Sequence, residues 1–299
     1  MKIAHLLYVP FVGLGLYGGM RGKRWLRNRI TIFKQFVIPS LLNQTNQNFI
    51  LWVSWRYEER TNPQVKELKN WLDTKLNVVF TYAGVCFWDD KYPDEIAYER
   101  LINAIHGSMG ELVNVIGEAD YVLMTIQPSD DCYHRNMVAK VQEIFNDTSF
   151  EVVGFEKGYI MNYLTKELAE YNPNTFPPFF TIKFPRATFI DPLKHVEYAS
   201  YKSHEYVMDK LNGSILRDRG FIVGTHGENI STHFNHPFKG LMVSRDILKD
   251  FGLFDVEPLK IKFSFRKKIL RMLPHNIQRK LRYWLGEKFF ARLYEFLRM

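Results

Sequence analysis

The chain predicts an α/β fold built on a mostly parallel, twisted sheet with helices on its faces. Short apolar runs recur in the first half, at Ile3 to Val12, Phe49 to Trp55 and Tyr121 to Ile126, each the length and composition of a strand buried on both faces. Segments with apolar residues at helical spacing alternate with them. That alternation builds βαβ units and a parallel sheet. The bulk composition agrees, because 299 residues at 46% hydrophobic and 15% aromatic can enclose one large core.

The first strand, Ile3 to Val12, precedes Gly13, Gly15, Gly18 and Gly19. MKIAHLLYVPFVGLGLYGG reads as this core strand rather than a signal peptide, since His5 and Pro10 interrupt its apolar run and no small-residue cleavage site follows. Gly13, Gly15 and Gly18 spell G-x-G-x-x-G, but no Asp or Glu occurs before Glu58. A dinucleotide site needs an acid about 20 residues on for the ribose, so a nicotinamide-dependent oxidoreductase is the weakest reading. With Arg21, Lys23, Arg24, Arg27 and Arg29 close by, the loop suits a diphosphate better.

Arg27 to Leu42 carries a stripe of Ile30, Phe33, Val37 and Leu41 broken near its end by Pro39, which predicts a helix. Phe49 to Trp55 is a second strand, Pro63 to Leu72 a helix and Asn77 to Ala83 a third strand. A long helix from Asp94 to Gly117 uses Ile96, Leu101, Ile105, Leu112 and Ile116, and leads into the central strand Tyr121 to Ile126. Arg135 to Phe145 is the next helix. Glu151 to Phe155 and Gly158 to Asn162 read as two short strands joined at Glu156-Lys157. Tyr171 to Pro192, rich in Pro and aromatics, reads as a surface substructure over the sheet. Ser203 caps a helix through Glu205, Met208 and Leu211, and Gly220 to Gly224 is a late strand.

Charge is unevenly placed. The net +8 comes from a tail, residues 256–299, that holds 12 of the 40 basic and 3 of the 32 acidic residues. The domain before it, residues 1–255, is close to neutral, which argues against a nucleic-acid binder and for a local electrostatic attachment. In the tail Ile277, Leu281, Trp284, Leu285, Phe289, Leu293 and Phe296 recur at helical spacing among Arg and Lys. Such a basic amphipathic helix suits either an anionic membrane surface, through residues 260–299, or an ordinary packing face. No apolar run is long enough for a transmembrane helix. Two cysteines, Cys86 and Cys132, exclude a disulfide scaffold and suggest a reducing, cytoplasmic setting, peripheral to the membrane.

The chemistry concentrates after the central strand, where Pro128-Ser129-Asp130-Asp131 follows Ile126 and Gln127. Acids at the carboxyl end of such a strand lie where open α/β sheets bind ligands, and adjacent carboxylates suit a hard divalent cation. The same residues also make a good solvated turn. His226, His233 and His236 fall within eleven residues, but at a spacing that matches no common zinc motif.

Three segments carry a resemblance: RNRITIFKQFVIPSLLNQTNQNFILWVSW, ADYVLMTIQPSDDCYH and RGFIVGTHGENISTHFNHPF. With the Pro-Pro-Phe stretch they span most of residues 1–240, and the chain resembles the rhamnosyltransferase family of GT-A-fold glycosyltransferases. The resemblance implies transfer of a sugar, such as rhamnose or another deoxyhexose, from a nucleotide-sugar donor to a glycan or lipid-linked acceptor. It implies Mn2+ or Mg2+ at the acidic turn on Asp130 and Asp131, completed by His226, with Asp131 alternatively bonding the ribose or sugar. Arg27 and Arg29 would assist the diphosphate. Glu205 matches the place of the base of an inverting enzyme, with Asp191 and Asp218 as rivals. The family's first acid in this turn is Pro128 here, so a non-catalytic relative that has lost its metal site is the alternative.

Overall fold

The computed structural model describes residues 1–11, 23–83, 103–146, 149–191, 194, 204–227, 229 and 232–261. The glycine loop, Cys86, the first part of the Asp94 to Gly117 helix, Ser203, Glu228 and the tail from residue 262 lie outside the described residues. One compact unit spans Met1–Leu259 and a second spans Lys260–Met299.

The first unit is a mixed α/β protein. Its strands are β1 (Ile3–Pro10), β2 (Ile50–Ser54), β3 (Val78–Thr81), β4 (Tyr121–Ile126), β5 (Cys132–Tyr133), β6 (Val152–Asn162), β7 (Glu167–Tyr171), β8 (Phe180–Pro185), β9 (Gly213–Thr225) and β10 (Lys239–Met242). They form one sheet in the order β10-β7-β6-β8-β4-β1-β2-β3, with β9 paired to β6 and β5 to β9. The half β4-β1-β2-β3 is parallel throughout. Beyond β4, strand β8 runs antiparallel between β4 and β6, whereas β6 and β9 are again parallel.

Successive residues of a strand point to opposite faces, and here both faces are buried. Leu7, Val9, Leu51, Val53 and Trp55 share one core. Leu6, Tyr8, Ile50 and Trp52 share the other. The first core is closed by α1 (Lys23–Ile32), α2 (Ile38–Leu42), α3 (Pro63–Asp73) and a helix, α5, at Met137–Ile144. Helices α4 (Met109–Ile116), α6 (Arg186–Ile190) and α7 (Val207–Lys210) close the second. Burial on both sides is why the strands read as unbroken apolar runs.

Several expected elements are corrected. The first helix starts at Lys23 and passes through a π-helical turn, Phe33–Val37, before α2. Pro39 therefore does not break it: Pro39 falls in the first turn of α2, where a missing N–H costs little. Glu151 to Phe155 and Gly158 to Asn162 are not two short strands but parts of one, β6, with register shifts around Lys157 that absorb the polar Glu156-Lys157 pair. Tyr171 to Pro192 is not a surface substructure, because Phe180–Pro185 enters the sheet as β8 and Phe179, Phe180, Ile182 and Phe184 are buried. The late strand is much longer than Gly220 to Gly224, and the helix around Glu205 is a 3-10 turn, His204–Tyr206, followed by the short α7. Among the described residues no helix is long and apolar enough to cross a membrane.

Candidate active site

The turn after β4 is built rigidly from its first residue. Gln127 donates its backbone N–H to the Tyr8 carbonyl of β1, so the turn starts from two adjacent parallel strands. Its side-chain amide then donates to the Pro128 and Asp131 carbonyls, both at 2.9 Å. Tyr163, just past β6, donates its hydroxyl to the Asp130 carbonyl at 2.8 Å and stacks on Phe36 of the π turn at 3.7 Å between ring centroids. Strand β9 closes against the same loop. A Cβ on Gly224 would lie 2.2 Å from the Asp130 carbonyl oxygen and 2.4 Å from the Tyr163 ring, so only glycine allows this approach.

Three side chains from two distant parts of the chain meet at Asp130. Its Oδ2 lies 2.5 Å from Arg29 Nη1, 3.1 Å from His226 Nε2 and 3.4 Å from Asn229 Nδ2. Asn229 is held in place by accepting from the His226 backbone N–H and donating to the Gly224 carbonyl, each at 2.7 Å. Arg29 comes from α1 with its side chain 7% exposed, while that of Asp130 is 17% exposed. The guanidinium also lies over the Trp25 ring, 5.4 Å from its centroid, and among the described residues its buried Nε and Nη1 make no well-aligned hydrogen bond, Nη1 meeting Asp130 as an ion pair. A buried donor left in that state is costly unless something accepts from it.

Burial alone would raise the Asp130 carboxyl, but the Arg29 charge and the His226 hydrogen bond override it and hold the group well below the usual carboxylate range. Asp131 goes the other way. Burial and the neighbouring Asp130 charge push its carboxyl well above that range, against the opposing Gly224 N–H and Arg29 charge. Two adjacent carboxyls with opposite shifts are a common arrangement for divided roles in a site.

The structure brings together Asp130, Asp131, His226 and Arg29 from the expected set. It leaves Arg27 exposed, since a residue two positions earlier on a helix faces the other way. Glu205 is exposed in its 3-10 turn, and the following α7 places Val207 in the core on the other face of the sheet. Asp191 pairs with Lys194 and Asp218 with Lys140. His233 and His236 meet as tilted rings with centroids 5.9 Å apart, and His236 also contacts the rings of Tyr171 and Phe238. Gln127, Tyr163 and Asn229 were missed by sequence reasoning. Asn229 alone had a signal, as a polar residue in the loop after the β9 run.

The residues do not fit a ready-made divalent-cation site. Asp130 Oδ2 already faces three nitrogen atoms, Asp131 Oδ1 accepts from the Gly224 N–H at 2.9 Å, and among the described residues no three His, Cys, Asp or Glu side chains converge on one point. A separate cavity of about 370 Å³ is lined by His134, Lys140, Tyr159, Asp218, Arg219 and Asp250. Its cations are paired as well, Lys140 with Asp218 and Arg219 with Glu170.

No protein-family model matches the sequence, and no curated protein matches it. Among solved structures, S. aureus TarS 1-349 in complex with UDP is similar with a TM-score of 0.40 at 13% identity, covering 75% of this chain and 61% of that chain. This chain therefore spans about three fifths of the length of that structure. The same protein in complex with UDP-GlcNAc gives a TM-score of 0.42 at 15% identity over 88% of this chain and 68% of the other. Mouse xyloside xylosyltransferase 1 gives 0.36 at 12% identity, over 72% and 85%. Likenesses of this size assign neither an activity nor a ligand to the chain.

Proposed function

We propose that the chain is a glycosyltransferase of GT-A type that takes its sugar from a nucleotide-sugar donor. The observation that carries this reading is the cluster of Arg29, Asp130, His226 and Asn229 at the carboxyl end of a parallel strand, the edge at which open α/β sheets bind ligands. The three segments that resemble glycosyltransferases contribute Arg29, Asp130 and His226 respectively, and folding unites them at one oxygen atom.

In this reading the donor diphosphate lies against Arg29, whose fixed charge stabilises the negative charge that grows on the departing group. Asp130 holds the guanidinium in position, Tyr163 holds the Asp130 carbonyl, and Gln127 ties the turn on either side of it. The sugar is a deoxyhexose such as rhamnose and the acceptor a glycan or lipid-linked glycan, both taken from the sequence resemblance. Pro128 and the engagement of Asp130 by Arg29 favour one other reading, a relative that binds nucleotide and does not turn it over.

Donor hydrolysis measured over a panel of UDP-, GDP- and dTDP-sugars tests the proposal. We expect release of nucleoside diphosphate from one nucleotide class, reduced to background in Asp130→Asn while the far-ultraviolet dichroism is unchanged. Nucleotide binding without hydrolysis or transfer of any donor would establish the binding-only relative. Hydrolysis by Asp130→Asn at the wild-type rate would remove the cluster from the active site.

A further inference from the structure

We propose that Arg29 takes the place of a divalent cation, so that the chain binds the diphosphate of its donor without metal. This rests on the glycosyltransferase reading above and specifies how its site is charged.

The argument starts from the carboxylate. A divalent ion at this turn would need carboxylate oxygens with free lone pairs, and position 128, where the resembled family carries an acid, is proline. The Asp130 oxygen that would serve is 2.5 Å from a guanidinium nitrogen. An arginine stays charged under all ordinary conditions, so a metal ion beside Asp130 would face a fixed positive charge at close range. The other acid gives an oxygen to the Gly224 N–H. His226 lies against the same Asp130 oxygen and so gains its stabilisation from a carboxylate, not from a cation.

Charge balance is preserved by the exchange. A divalent ion on two carboxylates and a guanidinium on one carboxylate both give a neutral site with a cationic edge. Arg29 supplies that edge in a form suited to phosphate, being planar and able to donate along two sides. One side forms an ion pair with Asp130, the Trp25 ring covers a face, and the Nε hydrogen remains without an acceptor among the described residues. An oxygen of a diphosphate is an acceptor of the required charge.

Calorimetric titration of UDP, GDP and dTDP into the full-length protein tests this, in EDTA and in Mn2+. We expect one nucleoside diphosphate to bind with the same Kd in both. Arg29→Ala should weaken binding about tenfold to a hundredfold in both buffers, the loss of a charged hydrogen bond, and Arg29→Lys should recover part of it. A Kd that improves by orders of magnitude with Mn2+ would overturn the proposal and leave the glycosyltransferase reading standing. Undiminished binding by Arg29→Ala would likewise overturn it. Failure of all three nucleotides in both buffers would overturn both. If Arg29→Ala does not fold, the comparison of EDTA with Mn2+ on the wild-type chain still decides the matter.

Discussion

At the scale of single residues, the site depends on contacts that leave no room for substitution. Gly224 is the sharpest case. A methyl group there would collide with the Asp130 carbonyl and the Tyr163 ring, both fixed by their mutual hydrogen bond. Overpacking of this kind costs about 1–3 kcal/mol, so Gly224→Ala should lower the free energy of unfolding by that amount in a urea titration and weaken nucleotide binding with it. A variant with unchanged stability would show that β9 is free to move away from the turn. Asp130, Asp131, Arg29 and His226 were legible in the sequence as residues that suit a diphosphate and its counter-charge. Their partnership was not. Whether Arg29 reaches Asp130 depends on the rotation of α1 about its axis, and that is set by packing of Leu26 and Ile30 against the sheet. The same geometry explains why Arg27, equally plausible from sequence, is exposed.

At the scale of elements, legibility follows burial. β1, β2 and β4 are buried on both faces and were evident as apolar runs. β8 was missed because Lys183 interrupts its run and two prolines precede it. In the fold Lys183 is buried, with its ammonium over the rings of Tyr121 and Phe145 at 5.5 and 5.4 Å, contacts that offset part of the cost of placing a cation there. The π-helical turn was invisible for a different reason: its buried residues Phe33, Phe36 and Val37 keep the i, i+3, i+4 spacing of an ordinary α-helix. Helix α3 is an instance where local chemistry sufficed. Asn62 accepts from the Gln64 N–H at 3.0 Å and Pro63 opens the first turn. Asn62→Ala should cost about 1 kcal/mol, read as a lower denaturation midpoint with an unchanged slope, and an unaltered midpoint would mean that Pro63 alone fixes this end.

At the scale of the whole molecule, pH acts through the core. His5 is buried in β1 between Thr125 at 2.7 Å and Gln142 at 3.1 Å, and burial lowers its pKa from 6.5 to about 3. The unfolded chain thus takes up this proton near pH 6.5 and the folded chain only near pH 3. Between those values the unfolded state binds more protons, so stability is full above the window and falls as pH drops through it. The contribution is about 1.4 kcal/mol per pH unit for one proton. His5→Gln keeps a polar partner for Thr125 and should flatten the pH dependence by that slope, measured by urea denaturation across the window. A slope identical to wild type would place the acid sensitivity in other groups.

The interior position of β1 has a consequence for how the chain is made. β1 is bordered by β2 on one side and β4 on the other, and the second border needs residues 121–126. A ribosome that has released β1, β2 and β3 must still add residues 84–126 before that border exists, roughly 2–9 s at ordinary elongation rates. During this interval an apolar strand edge from Ile3 to Tyr8 stays open to pairing with any other nascent strand. This open interval therefore falls before the turn that carries Asp130 has been translated.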